Sequence, residues 1–122
     1  MPGDLKTNVE RVGPVAVCSL AGDLHMDNQE EVRAALKTAL GLLPEVLAVD
    51  LTGAELFTSS GLNALLRARL DAADRFVPLV LITPSRAVRR VLAVTEAQDL
   101  FPICATAEEA ARYAPTNRAP GG

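Results

Sequence analysis

Two rhythms of hydrophobic and polar positions alternate along this chain. Nearly unbroken apolar runs occupy residues 15–20 (Val-Ala-Val-Cys-Ser-Leu), 46–51 (Val-Leu-Ala-Val-Asp-Leu) and 79–82 (Leu-Val-Leu-Ile). Runs of this length without alternation suit strands covered on both faces. Between them, apolar residues recur at helical spacing. Val32, Ala35, Leu36, Ala39 and Leu40 make one helix face, and Gly41 and Pro44 stop that helix. Asp27 reads as its N-cap, with Glu30 as the capping-box partner. A second helix is predicted over residues 60–73. Leu62, Leu65, Leu66, Leu70 and Ala73 lie on its apolar side, and Asn63, Arg67, Asp71 and Asp74 on the other. A third opens at Thr83-Pro84-Ser85, with Val88, Val91 and Leu92 inward and Arg86, Arg89 and Arg90 outward. Residues 5–11 predict an edge strand, which the Gly13-Pro14 turn joins to the run at 15–20 as an antiparallel hairpin. Residues 101–104 read as a last short strand, with Pro102 suiting an edge or strand end. Thr106 caps a final helix running to about Tyr113, and Glu108 and Glu109 suit its first turn.

After the hairpin, strand and helix alternate. That order implies right-handed βαβ crossovers and an α/β fold, with a mixed, mostly parallel sheet packed by about four helices. Residues 1–113 form one domain, and residues 114–122, rich in Pro and Gly, read as a loose tail. No internal repeat is visible.

Composition narrows the function classes. The chain has 122 residues, 49% of them hydrophobic, enough for a real core. Aromatics make up only 3% and Trp is absent, so the core is built from Leu, Val and Ala. A base-stacking platform for single-stranded nucleic acid has no residues to form it. A net charge of −3 argues against direct nucleic-acid binding and against attraction to anionic lipid. The first residues are polar and charged, unlike a secretory signal, and no apolar run approaches a membrane span. A cytoplasmic protein is expected. Cys18 and Cys104 fall in apolar strands and read as buried thiols. With one His and no close Cys/His spacing, no metal site or cofactor is expected. The Ala- and Arg-rich composition suits a GC-rich bacterial genome.

The stretch carrying most chemistry is Thr58-Ser59-Ser60-Gly61, between the run at 46–51 and the second helix. Hydroxyl oxygens at a helix start accept from free backbone N–H groups. The same N–H groups and the positive end of the helix dipole also favour a phosphate. The cluster is therefore either an ordinary cap or a phosphorylation switch. A hydrolase using Ser59 or Ser60 would need a G-x-S-x-G elbow and a paired His, and neither is present. Gly-rich phosphate loops are absent as well. Asp23, Asp27 and Asp50 are dispersed carboxylates, His25 is a loop residue, and Asp50 reads as a residue that orients the turn after its strand.

Taken in order, several segments match one family. They are Leu20-Ala21-Gly22-Asp23-Leu24, Val49-Asp50-Leu51, Phe57-Thr58-Ser59-Ser60-Gly61-Leu62, and residues 83–92. Across residues 15–113 the chain resembles the STAS domain, named for sulfate transporters and anti-sigma factor antagonists. The resemblance implies an anti-sigma factor antagonist that is not an enzyme. Such a protein binds an anti-sigma factor that is also a serine kinase of the histidine-kinase-like ATPase class, and so frees a sigma factor. Phosphorylation of a serine at the start of the second helix then parts the two. The implied acceptor is Ser59, with Thr58 and Ser60 as alternatives. The implied partner surface joins Asp23, His25 and Asp27 to Thr58, Ser59, Ser60 and Asn63. The family usually has Asp where Thr58 stands, and often Asp where His25 stands. An alternative within the family is a scaffold or sensor module that is not phosphorylated and binds other STAS proteins or a small ligand. A monomer or weak dimer is expected.

Overall fold

The computed structural model describes residues 4–115. Strands β1 (Lys6–Val12) and β2 (Val15–Leu24) form the antiparallel hairpin, paired from Lys6 opposite Ala21 to Val12 opposite Val15. Helix α1 (Gln29–Leu40) crosses to β3 (Val46–Asp50), which pairs parallel with β2. Strand β4 (Ala54–Phe57) then leads into α2 (Ser59–Ala73), and β5 (Leu79–Ile82) pairs parallel with β3. Helix α3 (Arg86–Val94), the two-residue strand β6 (Ile103–Cys104) and α4 (Ala107–Ala110) complete the chain. The sheet order is β1-β2-β3-β5-β6, with β4 paired beside the far end of β2.

The unbroken apolar runs do cover both faces. In β3, Leu47 and Val49 point into the larger core under α1, α2 and α3, while Val46 and Ala48 point into a smaller core under α4. β5 divides in the same way, with Leu79 and Leu81 on one face and Val80 and Ile82 on the other. The face expected for α1 is the buried one: Val32, Ala35, Leu36, Ala39 and Leu40.

Several expectations are corrected. β2 does not stop at Leu20 but runs on through Gly22 and Asp23 to Leu24, because its last residues gain a partner in β4. The residues read as a polar turn after β3 contain that extra strand; Ala54 and Phe57 are buried while Glu55 and Leu56 face out. Asp27 is not the cap of α1. His25 caps a single 3-10 turn at Met26–Asn28 instead, and α1 follows directly from it. In α2 the buried face is Gly61, Leu62, Ala64, Leu65, Ala68 and Ala72; Leu66 is half-buried, and Leu70 and Ala73 are exposed. Ala64, Ala68 and Ala72 share the buried face with Leu62 and Leu65 and turn it away from Leu70. Val91 in α3 is half-buried. The last helix ends at Ala110 and tightens into a 3-10 turn through Tyr113. Most of the expected tail, residues 116–122, lies outside the described residues.

Candidate functional site

The hydroxyl cluster sits where β2, β4 and α2 meet. β4 runs parallel to the end of β2 and sets Phe57 opposite Leu24. Thr58 therefore emerges beside the Leu24 carbonyl, to which both its backbone N–H (3.1 Å) and its hydroxyl (3.2 Å) donate. The same Oγ1 accepts from the backbone N–H of Ser60 at 3.3 Å and so caps α2. An aspartate at this position would accept but could not donate, and it would bring a carboxylate against the Leu24 carbonyl. Thr58 thus performs the cap and ties the helix start to the sheet.

Ser59, the first helical residue, is exposed, and its side chain makes no hydrogen bond among the described residues. Ser60 is half-buried, and its carbonyl accepts from Gln29 Nε2 at 3.3 Å. Gly61 is required by packing: a Cβ there would stand 2.9 Å from Cε1 of the buried Phe57 ring and 3.2 Å from Leu24 Cβ. The first turn of α2 holds no acidic residue, so nothing on the helix itself offsets the positive end of its dipole.

The loop after β2 is held in a fixed shape next to this turn. His25 Nδ1 accepts from the Asp27 N–H (3.1 Å), and the His25 N–H donates to Asn28 Oδ1 (3.0 Å). Asn28 Nδ2 donates to the Asp23 carbonyl at 2.6 Å. With Gln29 bonded to Ser60, the loop and the start of α2 are one connected unit. Asp23 and His25 are half-buried in it, whereas Asp27 and Asn63 are exposed. The structure therefore gathers the expected residues at one end of the sheet. Asp50 orients the next turn, its Oδ1 accepting from the Thr52 N–H (3.0 Å) and hydroxyl (2.7 Å). Sequence reasoning missed Asn28 and Gln29, which hold the loop, and the exposed apolar Met26 and Leu56 nearby. Asn, which readily bonds neighbouring backbone, was the available signal for the first of these. Among the described residues no group of His, Cys, Asp and Glu is placed to hold a metal ion, and no helix is long and apolar enough to cross a membrane.

A family model described as "Mlab, STAS domain" matches residues 7–102, and the chain belongs to the STAS domain family. Solved structures share its fold. An anti-sigma factor antagonist from Mycobacterium paratuberculosis superposes with a TM-score of 0.80 at 24% identity, over 93% of this chain and 97% of that one. The Bacillus cell fate determinant SpoIIAA in its phosphorylated form gives 0.66 at 22% identity, over 88% and 97%. A murine Solute Carrier 26 family anion transporter gives 0.71 at 17% identity, over 88% of this chain but 19% of the transporter. No curated protein sequence matches this chain significantly.

Proposed function

We propose that this chain is an anti-sigma factor antagonist. In this reading it is a cytoplasmic, non-enzymatic binding module that docks an anti-sigma factor of the histidine-kinase-like ATPase class and frees a sigma factor. The same partner switches it off by transferring the γ-phosphoryl group of ATP to Ser59 Oγ, with ADP leaving. The observation that carries the reading is the division of labour at the start of α2. Thr58 makes the cap, so the exposed Ser59 hydroxyl beside it is free for chemistry. The Thr58 hydroxyl is engaged with the Leu24 carbonyl and the Ser60 N–H, and Ser60, bonded to Thr58 and Gln29 through its backbone, is half-buried, so Ser59 is the most exposed of the three.

A phosphate adds about −1.5 to −2 charge. On Ser59 it would meet the N–H end of α2 and no carboxylate in the first turn, so the free fold tolerates it. Against a docked partner it must lose water, and the interface weakens. Asp23, His25, Asp27 and Asn63 complete the docking surface, with Met26 and Leu56 as apolar contacts.

The test is intact mass after incubation with ATP and the histidine-kinase-like ATPases encoded in the same genome. One phosphate is expected, and Ser59→Ala should remove it; a phosphate mapped to Thr58 or Ser60 refutes the assignment. Ser59→Asp should weaken partner binding about thirtyfold or more while leaving the melting temperature nearly unchanged. A second reading, an unphosphorylated scaffold, draws on Thr58 standing where the family usually has Asp. It takes over if no phosphate is added and Ser59→Asp still binds.

A further inference from the structure

We infer that the free edge of β1 is a self-association surface, on which a second copy of this chain adds its own β1 antiparallel, in a register set by Lys6 and Glu10. β1 is a seven-residue edge strand that pairs only with β2 among the described residues. Lys6 and Glu10 are both exposed and have no ion pair among those residues. Arg11 is already committed: its Nη1 donates to the Leu42 carbonyl at 2.6 Å and its Nε to the Gly13 carbonyl at 3.1 Å. It also pins the end of the strand.

A two-fold axis normal to the sheet and centred on Asn8 sets Lys6 opposite the second copy's Glu10, and Glu10 opposite its Lys6. Asn8 faces Asn8, and Thr7 faces Val9. Opposite charges directly across two strands attract, and like charges repel. Centring the axis on Thr7 or Val9 removes both charge pairs. A strand edge normally uses charges to discourage pairing; here their order selects one register instead. Each copy keeps its helices on the same side of the sheet, so the two α1 helices come alongside one another. A groove of about 390 Å³ runs between β1 and α1, lined by Leu5, Thr7 and Val9 on one wall and Glu31, Ala34, Ala35 and Thr38 on the other. Apart from the exposed Glu31, the residues of the α1 wall are small and permit close approach. Association stops at two copies, because the two-fold contact uses the β1 edge of both chains and leaves only the short edges of β4, four residues, and β6, two residues, among the described strands.

This surface lies across α1 from Ser59 and stands independently of the proposed switch. The experiment is sedimentation equilibrium of the full chain from about 10 μM to about 1 mM. A reversible monomer–dimer equilibrium is expected. Lys6→Glu and Glu10→Lys should each raise the dimer dissociation constant about tenfold or more. Mixing the two variants should restore dimers as heterodimers, because every facing pair is again opposite in charge; circular dichroism confirms that both variants are folded. A wild-type chain monomeric throughout, a dimer indifferent to either variant, or variants that do not recover on mixing would each overturn the inference.

Discussion

At the scale of single residues, the N-terminal end of α2 separates structural from chemical hydroxyls. Thr58 uses its oxygen as both donor and acceptor, so Thr58→Ala removes a cap and a tie to Leu24 together. A loss of about 1–2 kcal/mol is expected in urea denaturation, and a value near zero would show that the cap is redundant. Ser59→Ala should leave stability almost unchanged, since the hydroxyl bonds nothing in the fold. The hydroxyl cluster was legible in the sequence, but the division between its members was not, because it depends on the distant Leu24 carbonyl. The cap before α1 was misread for a similar reason. Asp27 is the better capping residue by type, yet His25 sits where the chain leaves β2 and its ring takes the role. Another local feature is costly. Phe76 follows α2 with φ of 61° and is 85% exposed, in a turn closed by the Val77 N–H donating to the Ala72 carbonyl at 2.9 Å. That is a position glycine favours. Phe76→Gly is expected to stabilise the domain by about 1 kcal/mol, or about 4 °C in melting temperature. A lower melting temperature would mean that the ring packs usefully despite its exposure.

At the scale of elements, α2 shows where periodicity alone falls short. Leu62, Leu65, Leu66 and Leu70 compete to define its face, and counting leucines drew Leu70 inward. Packing buried the small residues Ala64, Ala68 and Ala72, and Ala64 and Ala68 lie on the side of the helix that faces α1. Leu65→Ala should cost about 2–5 kcal/mol, because the side chain is fully buried. Leu70→Ala and Arg67→Ala should each stay within about 0.5 kcal/mol. Ala72→Leu should cost about 1–3 kcal/mol by overpacking, because Ala72 is wholly buried. Equal costs for Leu65→Ala and Leu70→Ala in denaturant titrations would refute this register and, with it, the placement of Ser59 on the exposed side. β4 escaped notice because it is four residues long with an exposed middle, and its pairing partner Gly22-Asp23 reads as a turn. A strand of that kind is specified by its neighbour rather than by its own pattern.

At the scale of the whole molecule, the order of strands and helices was legible because the apolar runs of β2, β3 and β5 demand cover on both faces, and only alternating α/β connections supply it. The unequal depth of the two covers was not legible. One face carries three helices, while the other relies on the four-residue α4 and the turn after it. Each core happens to contain one thiol. Cys18 is wholly buried in the larger core, and desolvation pushes its pKa up to about 12, so its reactive thiolate is suppressed while the fold holds. Cys104 lies in the smaller core on the two-residue edge strand β6; burial, and secondarily the nearby Glu109 carboxylate, raise its pKa as well. Local opening is easiest where few apolar contacts hold an element down. Pulse alkylation across a urea titration should therefore label Cys104 at lower denaturant than Cys18. Labelling of Cys18 should follow the main unfolding transition seen by circular dichroism. If both thiols label together along that transition, the two cores unfold as one cooperative unit, and the thin cover over the second face is no weaker than the thick cover over the first.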